Sequence, residues 1–178
     1  MSWAKEFVEL DKSVHERESF DCGEIALNTF IRTQAAKHME AGISKTIVLP
    51  VTVSLPSGKF PICAFYTMTP GAIKRADLPK NLAKKLPYYP IPVFLLAQMA
   101  VHENYQNQGL GKTTLIQALG NFYEINKYMP AYAVIVDCVN ENAEKFYVQY
   151  DFKVLGKHNG RTRMYLPMNT IIQLFNKT

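Results

Sequence analysis

The sequence is poor in the residues that build disulfide frameworks and metal centres. It contains 3 cysteines and 4 histidines in 178 residues, and neither set has the close spacing of a metal site. No apolar run approaches the roughly 20 residues that cross a bilayer, and charges occupy the N-terminal stretch where a signal peptide is apolar. These absences predict a cytoplasmic protein with reduced thiols, no metal and no membrane contact.

Acidic residues are outnumbered by basic ones, 15 to 20, so the formal net charge is +5 at pH 7. A balance of this size favours polyanionic ligands, although a solvated basic surface explains it as readily. The hydrophobic content of 48% and the charged content of 20% are those of an ordinary globular protein. Internal repeats and linkers are also lacking, so a single domain over residues 1–178 is predicted.

Hydrophobic periodicity and turn residues predict alternating strands and helices in the order β-α-β-β-β-α-β-α-β-β, with a closing helix. The predicted strands are 5–10, 46–54, 60–69, 93–101, 131–139, 152–156 and 161–167. The predicted helices are 24–39, 78–86, 109–126, 141–150 and 168–176. This order predicts an α/β (α+β) fold with a mixed central sheet of about six to seven strands and helices on both faces.

The stretch 93–113 combines a buried strand, a polar loop and the start of a helix. Backbone N–H groups and the helix dipole at such a point form an anion cradle. The ATP/GTP loop G-x-x-x-x-G-K-[ST] fails here, because its first glycine would fall on Gln106. The pattern [QR]-x-x-G-x-[GA] fits at Gln106, Gly109 and Gly111. An ordinary glycine-rich turn before a surface helix is the alternative.

Two motifs carry a resemblance to the GNAT N-acetyltransferases. The loop at 106–111 resembles their pyrophosphate loop, and residues 140–152 resemble their signature N-x-x-A-x-x-F-Y-x-x-x-G-F. The segment 20–30, the strand end at 100–101 and the segment 172–175 are similar to the GNAT toxins of toxin–antitoxin modules, of the TacT and AtaT types. The resemblance covers essentially the whole chain and implies one GNAT domain, 1–178, with a surface insertion at 74–90.

The resemblance implies a toxin that transfers acetyl from acetyl-CoA to the α-amino group of aminoacyl-tRNA and blocks translation. It also implies a ribbon-helix-helix antitoxin as partner and is compatible with a homodimer. The alternatives are a GNAT enzyme acting on a protein N-terminus or small amine, and a catalytically silent CoA-binding module. No carboxylate lies in 93–101, which favours an α-amine titrating near 7.7–8.0 over a lysine near 10.4.

The resemblance places the cofactor contacts on the loop and on the second motif. Backbone N–H groups of 108–112 are expected to hold the pyrophosphate, with the Gln106 side chain as an added donor. Asn140 either orients the cofactor or caps the following helix. The predicted cofactor-binding residues are Ala100, Val101, Gln106, Gln108, Gly109, Leu110, Gly111, Lys112, Asn140 and Phe146.

Tyr147 is the predicted catalytic residue. A phenol with a pKa near 10 keeps its proton at neutral pH and can donate to a thiolate whose acid has a pKa of about 8.5. Adjacent helical residues point about 100° apart, so Phe146 is expected to enter the core while Tyr147 faces the cleft. An ordinary buried tyrosine is the alternative.

The predicted tRNA contact lies in the insertion. Its basic side chains are expected to meet phosphates and its tyrosines to stack on exposed bases, although a solvated surface is the alternative for each lysine. The residues are Lys74, Arg75, Lys84, Lys85, Tyr88 and Tyr89. Two departures from the toxin pattern stand out: Gln98 replaces an arginine, and Asp151 replaces the glycine before Phe152, where positive φ is tolerated by aspartate.

Overall fold

The computed structural model describes residues 2–177. The chain forms two compact units. The first comprises the residues up to Thr69 together with Gln98–Ala118, and the second comprises Pro70–Ala97 and the residues from Leu119 on. The single GNAT domain over 1–178 stays a prediction.

The strands form one mixed sheet, which confirms the predicted fold class. The strands are β1 Val8–Glu9, β2 His15–Glu16, β3 Lys45–Pro50, β4 Phe60–Ile73, β5 Ile91–Val101, β6 Ala133–Cys138, β7 Lys153–His158 and β8 Arg161–Pro167. Their order in the sheet is β1-β3-β4-β5-β6-β8-β7, and β2 pairs with β4. The pair β5–β6 is parallel, with Phe94 opposite Val134, whereas β1–β3, β3–β4, β6–β8 and β7–β8 are antiparallel.

The helices follow the predicted series with two changes. The first predicted helix is divided into α1 Ile25–Thr29, a π-helical turn Phe30–Gln34 and α2 Ala35–Glu40. The other helices are α3 Lys80–Ala83, α4 Leu110–Asn126, α5 Glu141–Gln149 and α6 Met168–Asn176. Short 3₁₀ turns lie at Arg75–Asp77 and Glu103–Tyr105. The short helix predicted at 78–86 is present, but its predicted bounds are wrong. It is limited to Lys80–Ala83, since Pro79 directly precedes it and Pro87 follows.

Two strands differ from prediction for identifiable reasons. The two-residue β2 was missed, because two residues carry no periodicity. Strand β4 continues past Pro70 to Ile73, beside β5. A Cβ at Gly71 would lie 2.8 Å from Cγ of Leu95, so glycine permits this approach of backbone to side chain.

Each unit has its own apolar cluster. In the first unit the cluster underlies the 3₁₀ turn and the start of α4, and consists of Leu49, Val51, Cys63, Ala64, Tyr105 and Leu110. In the second unit the cluster joins the sheet to the 74–90 segment, and consists of Ile73, Leu78, Ile91, Val93, Ala133, Ile135 and Tyr165. Helices α5 and α6 both pack on β6 and β8.

Candidate functional site

The glycine-containing loop of the first unit is exposed between two buried anchors. Tyr105 and Leu110 are 7% and 2% exposed and lie in the same apolar cluster, while residues 106–109 face solvent. The backbone of Asn107 and Gly109 is left-handed, with φ of 61° and 81°. The loop is therefore fixed at both ends and presents its backbone outward.

The start of α4 supplies N–H donors at this point. Thr113 N–H donates to Gly109 O at 3.2 Å. The N–H groups of residues 110–112 lie before this bond, in the first turn of α4, where N–H groups have no partner within the helix. A Cβ added at Gly109 would meet nothing within 4 Å. Glycine is therefore favoured at this position by its positive φ. It is not favoured by crowding, because no other atom of the protein would contact an added Cβ.

Gln106 holds the loop from within. Its Nε2 donates to Val101 O at 2.8 Å and to Cys22 O at 3.1 Å. An amide nitrogen has two N–H groups, and both are occupied by these carbonyls. The contact between the Gln106 side chain and pyrophosphate stays a prediction, and in the structure the side chain ties the loop to the end of β5 and to the turn at residue 22.

The loop also rests on His102. Its ring Nδ1 accepts from Asn104 N–H at 3.1 Å, and its Nε2 lies 3.3 Å from Ser19 O. A neutral imidazole protonated at Nε2 satisfies both bonds, because one ring nitrogen accepts while the other donates. Phe20 packs edge-on against the same ring.

In the second unit, Asn140 caps α5. Its Oδ1 accepts from Ala143 N–H at 2.8 Å, and its backbone is extended, as at an N-cap. The capping role predicted for Asn140 is therefore present. Its contact with a cofactor stays a prediction.

Tyr147 is buried on the inner side of α5. It is 7% exposed and packs against Phe152, with ring centroids 5.2 Å apart. Burial, with a smaller contribution from the nearby Cys138, raises the pKa of Tyr147 well above its usual value. The phenol therefore keeps its proton throughout the neutral and mildly alkaline range.

The expected placement of Phe146 is wrong. Phe146 is only half-buried, and Tyr147 is the more buried of the two. The turn after α5 explains why Tyr147 is the more buried residue. Phe152 N–H donates to Tyr147 O there, and this bond brings the Phe152 ring against the Tyr147 ring. Asp151 has φ of 68° at this turn, the conformation that a glycine otherwise provides.

The 74–90 segment folds as a packed strap rather than a loose insertion. Arg75 Nε donates to Ala83 O at 2.8 Å and to Leu86 O at 3.1 Å, and its guanidinium lies 4.2 Å above the Tyr88 ring. Tyr88 and Tyr89 are 86% and 71% exposed. Lys74, Lys84 and Lys85 are exposed as well. Arg75 therefore has a structural role, and the lysines and tyrosines face outward.

The chain is similar in sequence and in fold to known toxins. No protein-family model matches it. A curated relative, the "tRNA-acetylating toxin" of Mycobacterium tuberculosis (strain ATCC 25618 / H37Rv), is 31% identical over 137 residues, which are 76% of this chain and 77% of the relative.

The chain belongs to the tRNA-acetylating toxin family. The "Probable toxin TacT" of Sinorhizobium fredii (strain NBRC 101917 / NGR234) is 28% identical, with 96% of each chain covered. Two solved structures match along the whole fold: AtaT complexed with acetyl-methionyl-tRNAfMet at 27% identity and a TM-score of 0.82, and AtaTR bound with AcCoA at 28% and 0.81. They cover 96% of this chain and 98% and 97% of their own.

Some features of this family member escaped sequence reasoning. The contacts that Asp21 and Cys22 make with the loop join residues about 80 positions apart, and no local periodicity reports such a pairing. Arg163 on β8 donates from Nε and Nη2 to the two carboxylate oxygens of Asp137 on β6, at 2.7 Å and 2.9 Å. Within residues 2–177 no cluster of potential metal ligands was found, and no helix has the length and apolarity of a membrane span.

Proposed function

We propose that this chain transfers the acetyl group of acetyl-CoA to the α-amino group of aminoacyl-tRNA and thereby stops translation. The observation that carries the proposal is the 31% identity to a relative named for tRNA acetylation, over three quarters of both chains. The solved structures of AtaT with acetyl-methionyl-tRNAfMet and of AtaTR with AcCoA support it. The toxin acts in the cytoplasm, where its substrate is found.

Acetyl-CoA is held by the exposed loop of the first unit. Backbone N–H groups of residues 108–112, at the start of α4, face the pyrophosphate and add the favourable end of the helix dipole. The backbone of Ala100 and Val101, at the end of β5, binds the pantetheine arm. Asn140 and Phe146, both on the second motif, complete the cofactor contacts.

Tyr147 assists departure of the thiolate. The amine nitrogen attacks the thioester carbonyl carbon, the C–S bond breaks, and the electron pair of that bond remains on sulfur. Because burial raises the pKa of Tyr147, full proton transfer to a thiolate whose acid has a pKa of about 8.5 is uphill. The phenol therefore donates a hydrogen bond to the sulfur, and any proton it yields is replaced by the proton that the attacking nitrogen loses.

The acceptor is an amine that needs little help to lose its proton. Strand β5 contains no carboxylate, so it offers no base of that kind. The α-amino group of an aminoacyl ester resembles groups that titrate near 7.7–8.0, so a large fraction of it is already neutral in the cell. A lysine that titrates near 10.4 is almost entirely protonated there.

The tRNA meets the strap at 74–90. The phosphates are contacted by Lys74, Lys84 and Lys85, and unpaired bases stack on Tyr88 and Tyr89. This stacking has no sequence preference, because every base has a π-face. Arg75 supports Tyr88 from below. A ribbon-helix-helix antitoxin restrains the toxin, as expected for a toxin–antitoxin module.

The test is acetylation of charged tRNA with radiolabelled acetyl-CoA. Label is expected in aminoacyl-tRNA, and mild alkali is expected to release it as N-acetyl amino acid. Reversing Lys84 and Lys85 to glutamate raises KM for tRNA but not for acetyl-CoA. The matched control reverses Lys12 and Lys45, which are exposed and ion-paired with Glu40 and Glu9. Label on protein lysines or polyamines, with none on tRNA, contradicts the proposal.

A further inference from the structure

A short turn in the first unit is held by one buried amide. Asn28 in α1 is 8% exposed. Its Oδ1 accepts from Cys22 N–H at 2.9 Å, and its Nδ2 donates to Asp21 Oδ1 at 2.9 Å. The same Asp21 oxygen accepts from Gly23 N–H at 2.9 Å. The orientation of the Asp21–Cys22 peptide is therefore set by Asn28.

The two carbonyls of this turn point to the start of the loop. Asp21 O accepts from Glu103 N–H at 2.8 Å, and Cys22 O accepts from Gln106 Nε2 at 3.1 Å. The second N–H of Gln106 goes to Val101 O at 2.8 Å. Residues 101–106 are thus fastened at their beginning, middle and end, just before the left-handed residues of the loop.

We propose that Asn28 is a positioning residue for acetyl-CoA, acting through Asp21, Cys22 and Gln106 on the pyrophosphate loop. The inference rests on the proposed function, in which the loop binds the pyrophosphate. Asn28 itself lies on α1, and its bonds run to the turn at 21–22. Its effect is to hold the loop amides in register with the phosphates, where small displacements are costly.

The polarity of the Asn28–Asp21 pair provides a rescue experiment. Hydrogen bonds from Gly23 N–H and Asn28 Nδ2 hold the pKa of Asp21 below its usual range, so Asp21 is a carboxylate. Asn28→Asp keeps an acceptor for Cys22 N–H but sets two carboxylates against each other. Adding Asp21→Asn removes one of the two charges and so relieves the repulsion. It does not restore both bonds, because the single atom that faces residue 28 and Gly23 N–H cannot both donate and accept.

The measurement is the Kd for acetyl-CoA, together with kcat/KM for acetyl-pantetheine, which lacks the pyrophosphate. Asn28→Asp is expected to weaken acetyl-CoA binding roughly 5- to 150-fold, the range for an unsatisfied buried polar group. Turnover of acetyl-pantetheine changes little, and Asp21→Asn/Asn28→Asp recovers part of the lost affinity, because the charge repulsion is removed. A protein that is merely loosened loses both activities in proportion.

Asn126→Ala is the matched control. Asn126 Oδ1 accepts from Ala131 N–H at 2.9 Å in the second unit, so its removal costs a comparable bond away from the loop and leaves the acetyl-CoA Kd unchanged. Equal loss for acetyl-CoA and acetyl-pantetheine, or a double variant that binds acetyl-CoA no better than Asn28→Asp, overturns the positioning role. Absence of acetyl-CoA binding in the unaltered protein instead overturns the proposed function.

Discussion

At the scale of single residues, the environment of Tyr147 decides its chemistry. Tyr147→Phe removes one oxygen from a ring that packs on Phe152, so folding and acetyl-CoA binding are expected to persist. Loss of one preorganised hydrogen-bond donor to developing negative charge typically slows catalysis about 10²- to 10³-fold. Single-turnover rates on aminoacyl-tRNA measure the effect, with Tyr150→Phe, at the C-cap of the same helix, as the control. A rate equal to that of the unaltered protein places the donor elsewhere.

The sequence predicted individual residues where a single local rule applies. Asn140 caps α5 because its spacing from Ala143 satisfies the N-cap geometry, and Asp151 adopts positive φ as its residue type allows. The burial of Phe146 and Tyr147 was predicted the wrong way round. Helical angles separate two neighbours, but they do not say which one meets Phe152, a contact made only after the chain has turned.

At the scale of elements, the loop before α4 depends on backbone conformation. Gly109 has φ of 81° with open space around a built Cβ. Gly109→Val forces a branched side chain into a left-handed conformation that costs about 1–2 kcal/mol, so acetyl-CoA affinity is expected to fall roughly tenfold or more. Gly109→Asn, which tolerates this conformation, retains more affinity. Calorimetric titration compares the two.

Gly58→Val is the matched control for the loop. Gly58 also has positive φ, 85°, with nothing within 4 Å of a built Cβ, so the same strain arises in a turn outside the loop. Its acetyl-CoA affinity is expected to be that of the unaltered protein. If Gly109→Val binds acetyl-CoA as tightly as Gly58→Val, the loop assignment is wrong.

Elements with one dominant signal were predicted closely, and those with competing signals were not. Strand β8 and helix α6 occupy the predicted residues, 161–167 and 168–176, where alternation gives way to helical spacing. The segment 78–86 has helical composition, yet Pro79 and Pro87 confine α3 to four residues. The hydrogen bonds of Arg75 to Ala83 O and Leu86 O hold the 74–90 strap together. A bond from a charged side chain to backbone carbonyls does not change the hydrophobic periodicity, so the sequence pattern does not predict it.

At the scale of the whole molecule, buried thiols link stability to pH. Burial raises the pKa of Cys63 to about 11 and, with smaller contributions from Glu144 and Asp137, that of Cys138 to about 11. An unfolded thiol titrates near 8.5. The stabilisation is therefore full below this value and is lost as the pH rises towards 11. The free energy of unfolding is expected to fall by up to about 1.4 kcal/mol per pH unit for each thiol.

Urea unfolding under reducing conditions between pH 8 and 10 measures this slope. Cys138→Ala removes one of the two thiols, so its stability at pH 8 is lower but its decline with pH is shallower. A slope unchanged by the substitution contradicts the assignment to Cys138, and the remaining decline then belongs to other groups.

The single tryptophan of the chain lies beneath the loop. Trp3 meets the Tyr105 ring edge-on at 6.0 Å and packs against the cluster that contains Leu110. An indole in this position emits according to the polarity and rigidity of the residues on which the loop stands. The protein thus carries its own fluorophore at the base of the proposed phosphate loop, and binding of acetyl-CoA there is expected to change the tryptophan emission without any label.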